Sequence, residues 1–120
     1  MIKREIIIPI KIASESNMSE HWAQKRKRRK AYINAIKYYW FKHEEKITLP
    51  CTIYLIRQGP RRLDFDNLVS AFKCIRDLLA DLIIPGMAYG QADNDPRLKW
   101  EYDQSKGNYA VIIKIFYEGE

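Results

Sequence analysis

The feature that most constrains the fold is the amphipathic segment at residues 67–83. Its apolar side chains recur at i, i+3, i+4 and i+7, the spacing of a helix with one buried face. They are Leu68, Ala71, Phe72, Ile75, Leu78, Leu79, Leu82 and Ile83. On a helical wheel, a polar stripe falls on the opposite side and consists of Asp66, Ser70, Lys73 and Asp77. The turns that anchor this helix in the core therefore also carry a row of polar side chains.

The remaining segments predict four strands and a second helix. Strand-like sequence covers residues 2–12, 47–58, a short stretch near 93–102, and 109–117, and helical sequence covers 19–42. Asn17 and Glu20 indicate the start of that helix, and Trp22, Ile33, Ile36 and Trp40 are its predicted apolar face. Residues 47–58 are apolar on both faces, which is typical of a central strand. Residues 105–108 predict a hairpin-like turn.

The order β-α-β-α-β-β predicts an α/β or α+β domain with a mixed sheet and two main helices. A chain of 120 residues, 47% of them apolar, is expected to form a single domain over residues 1–120. Cys51 and Cys74 fit free thiols in a reducing compartment. No apolar run approaches the ~18 residues of a membrane span, and residues 1–5 show no signal-peptide pattern. We therefore expect a cytoplasmic protein with no membrane partner.

The excess of Lys and Arg gives a formal net charge of +6 and a pI of about 9.3. Such an excess favours a polyanionic partner, with nucleic acid ahead of a membrane surface, although a charge that serves solubility alone is the other interpretation. The densest cluster is the basic run at residues 25–30. Arg26 and Arg29 are expected to lie towards the apolar face of the helix. The residues expected to meet DNA phosphates are Lys25, Lys27, Arg28 and Lys30. A solvated helix face explains the run equally well, and a localisation signal is a third interpretation.

Two carboxylates precede the amphipathic helix, where an extended segment becomes helical. Asp64 and Asp66 are two residues apart, so they point the same way from an extended backbone. Paired carboxylates can share a hard divalent cation, and Arg61 and Arg62 just before them can hold a phosphate. The alternative is that Asp66 only caps the helix.

A second acidic cluster, Asp93 and Asp95, follows the helix. Magnesium-dependent phosphodiester hydrolysis needs carboxylates from separate parts of the chain to hold the metal, and a nearby cation to stabilise the transition state. Lys73 on the polar stripe is the candidate cation. Each motif also has a structural interpretation, because the acidic cluster resembles a turn and Lys73 with Asp77 can form a surface ion pair.

Other common sites are not supported. Residues 64–75 fail as a calcium loop, because Val69 stands at the glycine position and Ile75 at the glutamate position. His21 and His43 lack the spacing of a zinc site. No glycine-rich phosphate loop is present in the sequence.

The acidic motifs resemble those of the RusA-type Holliday junction resolvases, small endonucleases common in phages and prophages. That family combines an Asp-x-Asp-Asn-Leu motif, a lysine and an aspartate on the following helix, and a paired acid with an aliphatic residue after it. The matching residues here are Asp64-Phe65-Asp66-Asn67-Leu68, then Asp95 with Leu98. Residues 17–26 are also similar to the polar stretch before the first helix of phage relatives.

The resemblance implies a RusA-like fold in a homodimer that cuts four-way DNA junctions with Mg²⁺, or with Mn²⁺ in its place. It implies that Asp64, Asp66 and Asp95 bind metal and are catalytic. Two positions depart from the family. Asn94 stands where the first acid of the pair is expected, so Asp93 is assigned a supporting metal role. Ser70 stands where the lysine is expected, so the catalytic lysine role is assigned to Lys73, one turn later.

The hypothesis from the sequence is a magnesium-dependent, structure-selective endodeoxyribonuclease of bacterial or phage origin that resolves junctions in recombination and repair. In it, Arg61, Arg62 and the basic run position the DNA backbone. One alternative is a non-catalytic DNA-binding accessory protein derived from the same fold. Another is a less selective nuclease acting on branched DNA or RNA–DNA hybrids, and a purely structural α/β protein is the last.

Overall fold

The computed structural model describes residues 2–14, 22–42, 46–87 and 90–119, which form a four-stranded sheet and two long helices. The strands are β1 (Ile2–Ile8), β2 (Cys51–Gly59), β3 (Leu98–Lys106) and β4 (Ala110–Tyr117), and the helices are α1 (Trp22–Trp40) and α2 (Phe65–Ile83). A short 3-10 turn, Ala92–Asn94, precedes β3. The predicted order β-α-β-α-β-β and the predicted mixed α+β class are confirmed.

The sheet has the strand order β1-β4-β2-β3. β2 and β3 are parallel, whereas β4 is antiparallel to both β1 and β2. β2 is therefore an interior strand, as its apolar sequence predicts. Parallel neighbours need a crossover connection, and α2 supplies it between β2 and β3. This connection fixes which end of the sheet each acidic segment occupies.

The predicted hairpin at residues 105–108 is wrong. β3 and β4 do not pair with each other, because they lie on opposite sides of β2. The connection between them passes over the end of β2, where the Gly107 N–H donates to the Gly59 carbonyl at 3.1 Å. A Cβ at Gly107 would stand 2.8 Å from Gln58 Nε2, so a larger residue at this crossing would have to displace the end of that side chain. A turn sequence predicts that the chain reverses, but not which strand it then pairs with.

Several boundaries differ from the predicted ones. β1 ends at Ile8, because Pro9 has no N–H to donate to the sheet. β2 begins at Cys51, directly after Pro50. β3 runs four residues further than predicted, since it stays in register with β2 as far as the Gly59–Lys106 pair. The predicted helix start at Asn17 and Glu20 lies outside the described residues, as do His21 and His43.

The core lies on one face of the sheet, under both helices. α2 contributes the predicted apolar face, and Phe72, Ile75 and Leu79 are fully buried. α1 contributes Tyr32, Ile36 and Trp40, all from its second half. The prediction that Trp22 belongs to the apolar face is wrong, because its indole is 66% exposed. The first half of α1 extends beyond the part of the helix that meets the core. Neither helix of the described chain has the length of apolar sequence that a bilayer crossing requires.

Candidate active site

The first acidic group lies at the start of α2. Asp64 occupies the N-cap position with an extended backbone (φ −61°, ψ 154°), but its side chain makes no capping hydrogen bond. Asp66 lies within the first turn of the helix, so the expectation that Asp66 is the cap is wrong. Both residues are exposed. Both side chains lie at the positive end of the helix dipole, where a negative charge is a favourable electrostatic neighbour of the helix.

The segment before α2 is held by contacts on both sides. Leu63 N–H donates to Gln104 Oε1 at 2.8 Å, and Gln104 Nε2 donates back to the Leu63 carbonyl at 2.8 Å. The buried guanidinium of Arg57 donates to the Arg61 carbonyl at 2.6 Å. These bonds fix the backbone of the junction while the side chains of Arg61 and Arg62 remain exposed. Two cations and two carboxylates are thus presented to solvent from one ordered corner of the fold.

The second acidic group lies further along α2, in a cleft of about 150 Å³. The lining residues are Val69, Ser70, Lys73, Arg76, Asp77, Asp93 and Tyr102. Lys73 Nζ lies 3.8 Å from Asp77 Oδ2, so the ion pair expected as the structural alternative is present. Asp93 reaches this cleft from the 3-10 turn Ala92–Asn94, after the chain has left α2. The segment after Pro85 therefore returns to the polar side of α2.

Arg76 organises this cleft, and the sequence analysis missed it. Its guanidinium Nε lies 3.4 Å from Asp93 Oδ2, and its Nη1 donates to the Tyr102 hydroxyl at 3.0 Å. The same guanidinium stacks over the Trp100 ring at 4.9 Å. Arg76 lies at the border between the polar stripe and the apolar face of α2, where a long cationic side chain can span both. That position on the helical wheel is the one sequence signal for its role.

Burial raises the pKa of Asp77, and the neighbouring charges of Asp93 and Asp81 raise it further. Lys73 and Arg76 oppose this shift by favouring the ionised carboxylate. Asp93 is also largely buried, and its Oδ1 has no hydrogen-bond partner among the described residues. The cleft thus holds two close carboxylates in surroundings that resist a second negative charge.

Asp95 is turned to a different partner. The Arg97 guanidinium donates from Nε to Asp95 Oδ1 at 3.0 Å and from Nη2 to Asp95 Oδ2 at 2.8 Å. The Arg97 backbone N–H donates to the same Oδ1 at 2.9 Å. These hydrogen bonds lower the pKa of Asp95 to about 2. Both carboxylate oxygens are therefore engaged by one arginine. A metal ion would have to displace that arginine to use Asp95 as a ligand.

The two acidic groups stand apart within one chain. Asp66 and Asp77 are eleven residues apart on α2, which corresponds to about 16 Å along a helix axis. Leu63, just before Asp64, is hydrogen-bonded to Gln104 near the end of β3. Asp95 lies at the opposite end of the same strand, where its carbonyl accepts from the Leu98 N–H. These two points on β3 are roughly 20 Å apart, so Asp64 and Asp95 are separated by most of the length of the strand. The described residues contain no group of three or more His, Cys, Asp or Glu that could hold a metal ion. One chain therefore does not bring Asp64, Asp66 and Asp95 to one point, and their shared metal role stays a prediction.

The basic run lies on the half of α1 that does not reach the core. Lys27 and Lys30 are exposed, and Lys25 and Arg28 are half-buried. Arg26 and Arg29 line a shallow groove with Trp22 and Ile33, and Lys25 and Lys30 line the same groove. Cationic groups thus lie along most of this half of the helix.

Comparison with models of known protein families finds no match to this chain, and neither does a search of curated proteins. The resemblance to the RusA-type resolvases therefore rests on the residues quoted for it.

Proposed function

We propose that the protein binds branched DNA and hydrolyses its backbone with Mg²⁺, as a homodimeric endodeoxyribonuclease of the Holliday junction resolvase type. Mn²⁺ is the expected substitute. The observation that carries the proposal is that Asp64 occupies the N-cap position of α2 but its side chain makes no capping hydrogen bond. A carboxylate that takes no part in holding the helix start, and lies beside Asp66, Arg61 and Arg62, is available for a ligand.

The residues at this corner fit a magnesium ion. Mg²⁺ is commonly bound by one or two carboxylates together with the phosphates of its substrate, so Asp64 and Asp66 can be its first ligands without Asp95. When bound, such an ion acts as a Lewis acid and lowers the pKa of a coordinated water. Arg61 and Arg62 would hold the adjacent DNA phosphate through charge-assisted hydrogen bonds. Lys73, with a side chain 68% exposed, would approach the phosphate from the polar stripe.

The assignment of the second acidic segment changes in this proposal. Asp93 lines the cleft on the polar stripe, and although Arg76 pairs with its Oδ2, its Oδ1 has no hydrogen-bond partner among the described residues. Asp95, in contrast, has both carboxylate oxygens engaged by Arg97. Because the two acidic groups lie apart within one chain, the proposal requires a dimer in which the second copy contributes Asp93 beside Asp64 and Asp66. The buried cysteines Cys51 and Cys74 carry free thiols, in keeping with the cytoplasmic location included in the proposal.

The test is cleavage of a synthetic four-way junction with Mg²⁺ or Mn²⁺. Asp66→Asn should reduce the cleavage rate by at least about 100-fold, because it removes a charged metal ligand. Asp103→Asn is the matched control: Asp103 is an exposed acid on the sheet face opposite the helices, so its rate should stay within about twofold of wild type. Equal cleavage rates for wild type and Asp66→Asn would contradict the assignment of Asp66 as a metal ligand and with it the proposed mechanism.

A second candidate is a DNA-binding accessory protein without catalysis. The engagement of Asp95 by Arg97 and the distance between the acidic groups within one chain favour it. It predicts tight junction binding with no divalent-dependent cleavage in the same assay. A panel of forks, flaps and RNA–DNA hybrids then separates a junction resolvase from a less selective nuclease.

A further inference from the structure

Phe65 is a large apolar side chain held in solvent between the two carboxylates at the start of α2. Phe65 is 65% exposed and stands between the polar residues Asp64 and Asp66. Burying a phenylalanine side chain is strongly favourable because it removes a large apolar area from water, so an exposed one forgoes most of that stabilisation. Folding alone therefore does not account for an aromatic residue at this position.

The exposed ring is nevertheless fixed in place. It meets the Tyr102 ring at a centroid distance of 6.1 Å and an interplanar angle of 84°. Tyr102 in turn contacts the buried ring of Phe72 and accepts a hydrogen bond from Arg76 through its hydroxyl. A row of three rings thus runs from the core to the surface and ends at Phe65. A ring supported in this way loses little conformational entropy on contact with a ligand.

The surroundings define what this ring can contact. Arg61 and Arg62 lie in the segment directly before it and suit a phosphodiester backbone. Aromatic side chains that lie beside such a backbone site stack on nucleobases, and the interaction is tolerant of sequence because every base has a π-face. Inside a duplex, the faces of a base are covered by its neighbours. The ring therefore suits a base that has already left the stack, as at a strand exchange point or a frayed end.

We propose that Phe65 selects the substrate by stacking on an unstacked nucleobase next to the phosphate held by Arg61 and Arg62. The proposal rests on the proposed function for the identity of the polymer, and adds the local state of the base that the protein recognises. Branched DNA would be preferred over continuous duplex because its branch point presents such a base without the cost of unstacking one.

The test uses binding rather than cleavage, so that its outcome is separate from that of the nuclease assay. A four-way junction carrying 2-aminopurine at the branch point is titrated in EDTA with wild type, Phe65→Ala, Phe65→Leu and Phe65→Tyr. Stacking should quench the fluorescence with wild type and Phe65→Tyr but not with Phe65→Ala or Phe65→Leu. The two non-aromatic variants should bind the junction about 5- to 150-fold more weakly, and a continuous duplex within about twofold of wild type.

The matched control is Tyr38→Ala, which removes another exposed aromatic ring, 62% accessible, from α1. It should leave both the quenching and the affinity unchanged. Junction binding by wild type without a change in fluorescence, or quenching that survives in Phe65→Ala, would overturn the stacking inference. Wild type that fails to bind the junction at all would overturn the proposed function and this inference with it. Stacking without Mg²⁺-dependent cleavage would overturn the nuclease alone.

Discussion

At the scale of single residues, the acids near the start of α2 differ from those further along it in how their carboxylates are held. Asp64 and Asp66 are exposed, whereas Asp77 and Asp93 are largely buried beside Arg76. Exposed carboxylates reach a ligand without rearrangement, and buried ones need a compensating charge. Arg76 is that charge for Asp93, which explains why a cation interrupts the border of an otherwise apolar helix face.

Replacing Arg76 by Met should destabilise the fold by about 2–3 kcal/mol, because the Asp93 carboxylate would stay largely buried without its cation. Urea unfolding measures the change. The control is Lys99→Met, which removes an exposed partner of Glu101 and should cost at most about 0.5 kcal/mol. Equal effects of the two substitutions would contradict the role assigned to Arg76.

The raised pKa of Asp77 predicts how stability depends on pH. Between the ordinary value of 3.8 and the higher pKa in the fold, the folded state binds more protons than the unfolded state, so stability falls as pH rises. Asp77→Asn has no such proton to lose. The Tm of Asp77→Asn minus that of wild type should therefore increase between pH 4 and pH 7 in thermal melts. A constant or decreasing difference would show that burial does not raise this pKa.

At the scale of elements, each helix combines a part that builds the core with a part that does not. α2 does so around its circumference, with buried side chains on one face and the polar stripe on the other. α1 does so along its length, because its buried residues lie in the second half and the basic run lies in the first. Charge changes in the basic run should therefore alter binding without altering the fold.

The double substitution Lys25→Glu with Lys30→Glu tests this separation. Each lost phosphate contact should reduce the slope of log K against log salt by about 0.9, so junction affinity should fall and its salt dependence should weaken by about 2 in slope. The unfolding midpoint should stay unchanged. Lys37→Glu, an exposed lysine in the second half of the same helix, should leave the slope as in wild type. An unchanged slope in the double variant would assign the run to a solvated helix face.

At the scale of the whole molecule, the crossover through α2 decides the spacing of the acids. The chain leaves β2 at one end of the sheet, runs along α2, and enters β3 from the other end. The first acidic group therefore lies near the end of β3, and Asp95 lies just before its start. Two such chains related by a twofold axis can place the first group of one copy beside the second group of the other, as a junction with two equivalent strands would require.

Mixing inactive variants tests this arrangement. Asp66→Asn and Asp93→Asn should each be inactive alone, but their heterodimer should contain one intact site if the two acids come from different copies. Co-refolding the variants should then restore junction cleavage to an appreciable fraction of the wild-type rate. A mixture that stays as inactive as the two single variants would assign both acids to one chain. A single variant that keeps wild-type activity would show that its substituted acid is not part of the site.

The sequence by itself determined the elements and their order, because helical periodicity and β-branched runs are local properties that each segment carries without the others. It identified α2 and its polar stripe, the interior strand β2, and the corner at Arg61–Asp66. The tertiary structure alone decided that β3 and β4 do not pair, that Arg76 neutralises Asp93, and that Arg97 engages Asp95. These depend on strand order, on the path of the crossover and on side-chain contacts between distant segments, none of which leaves a periodic signal in the chain.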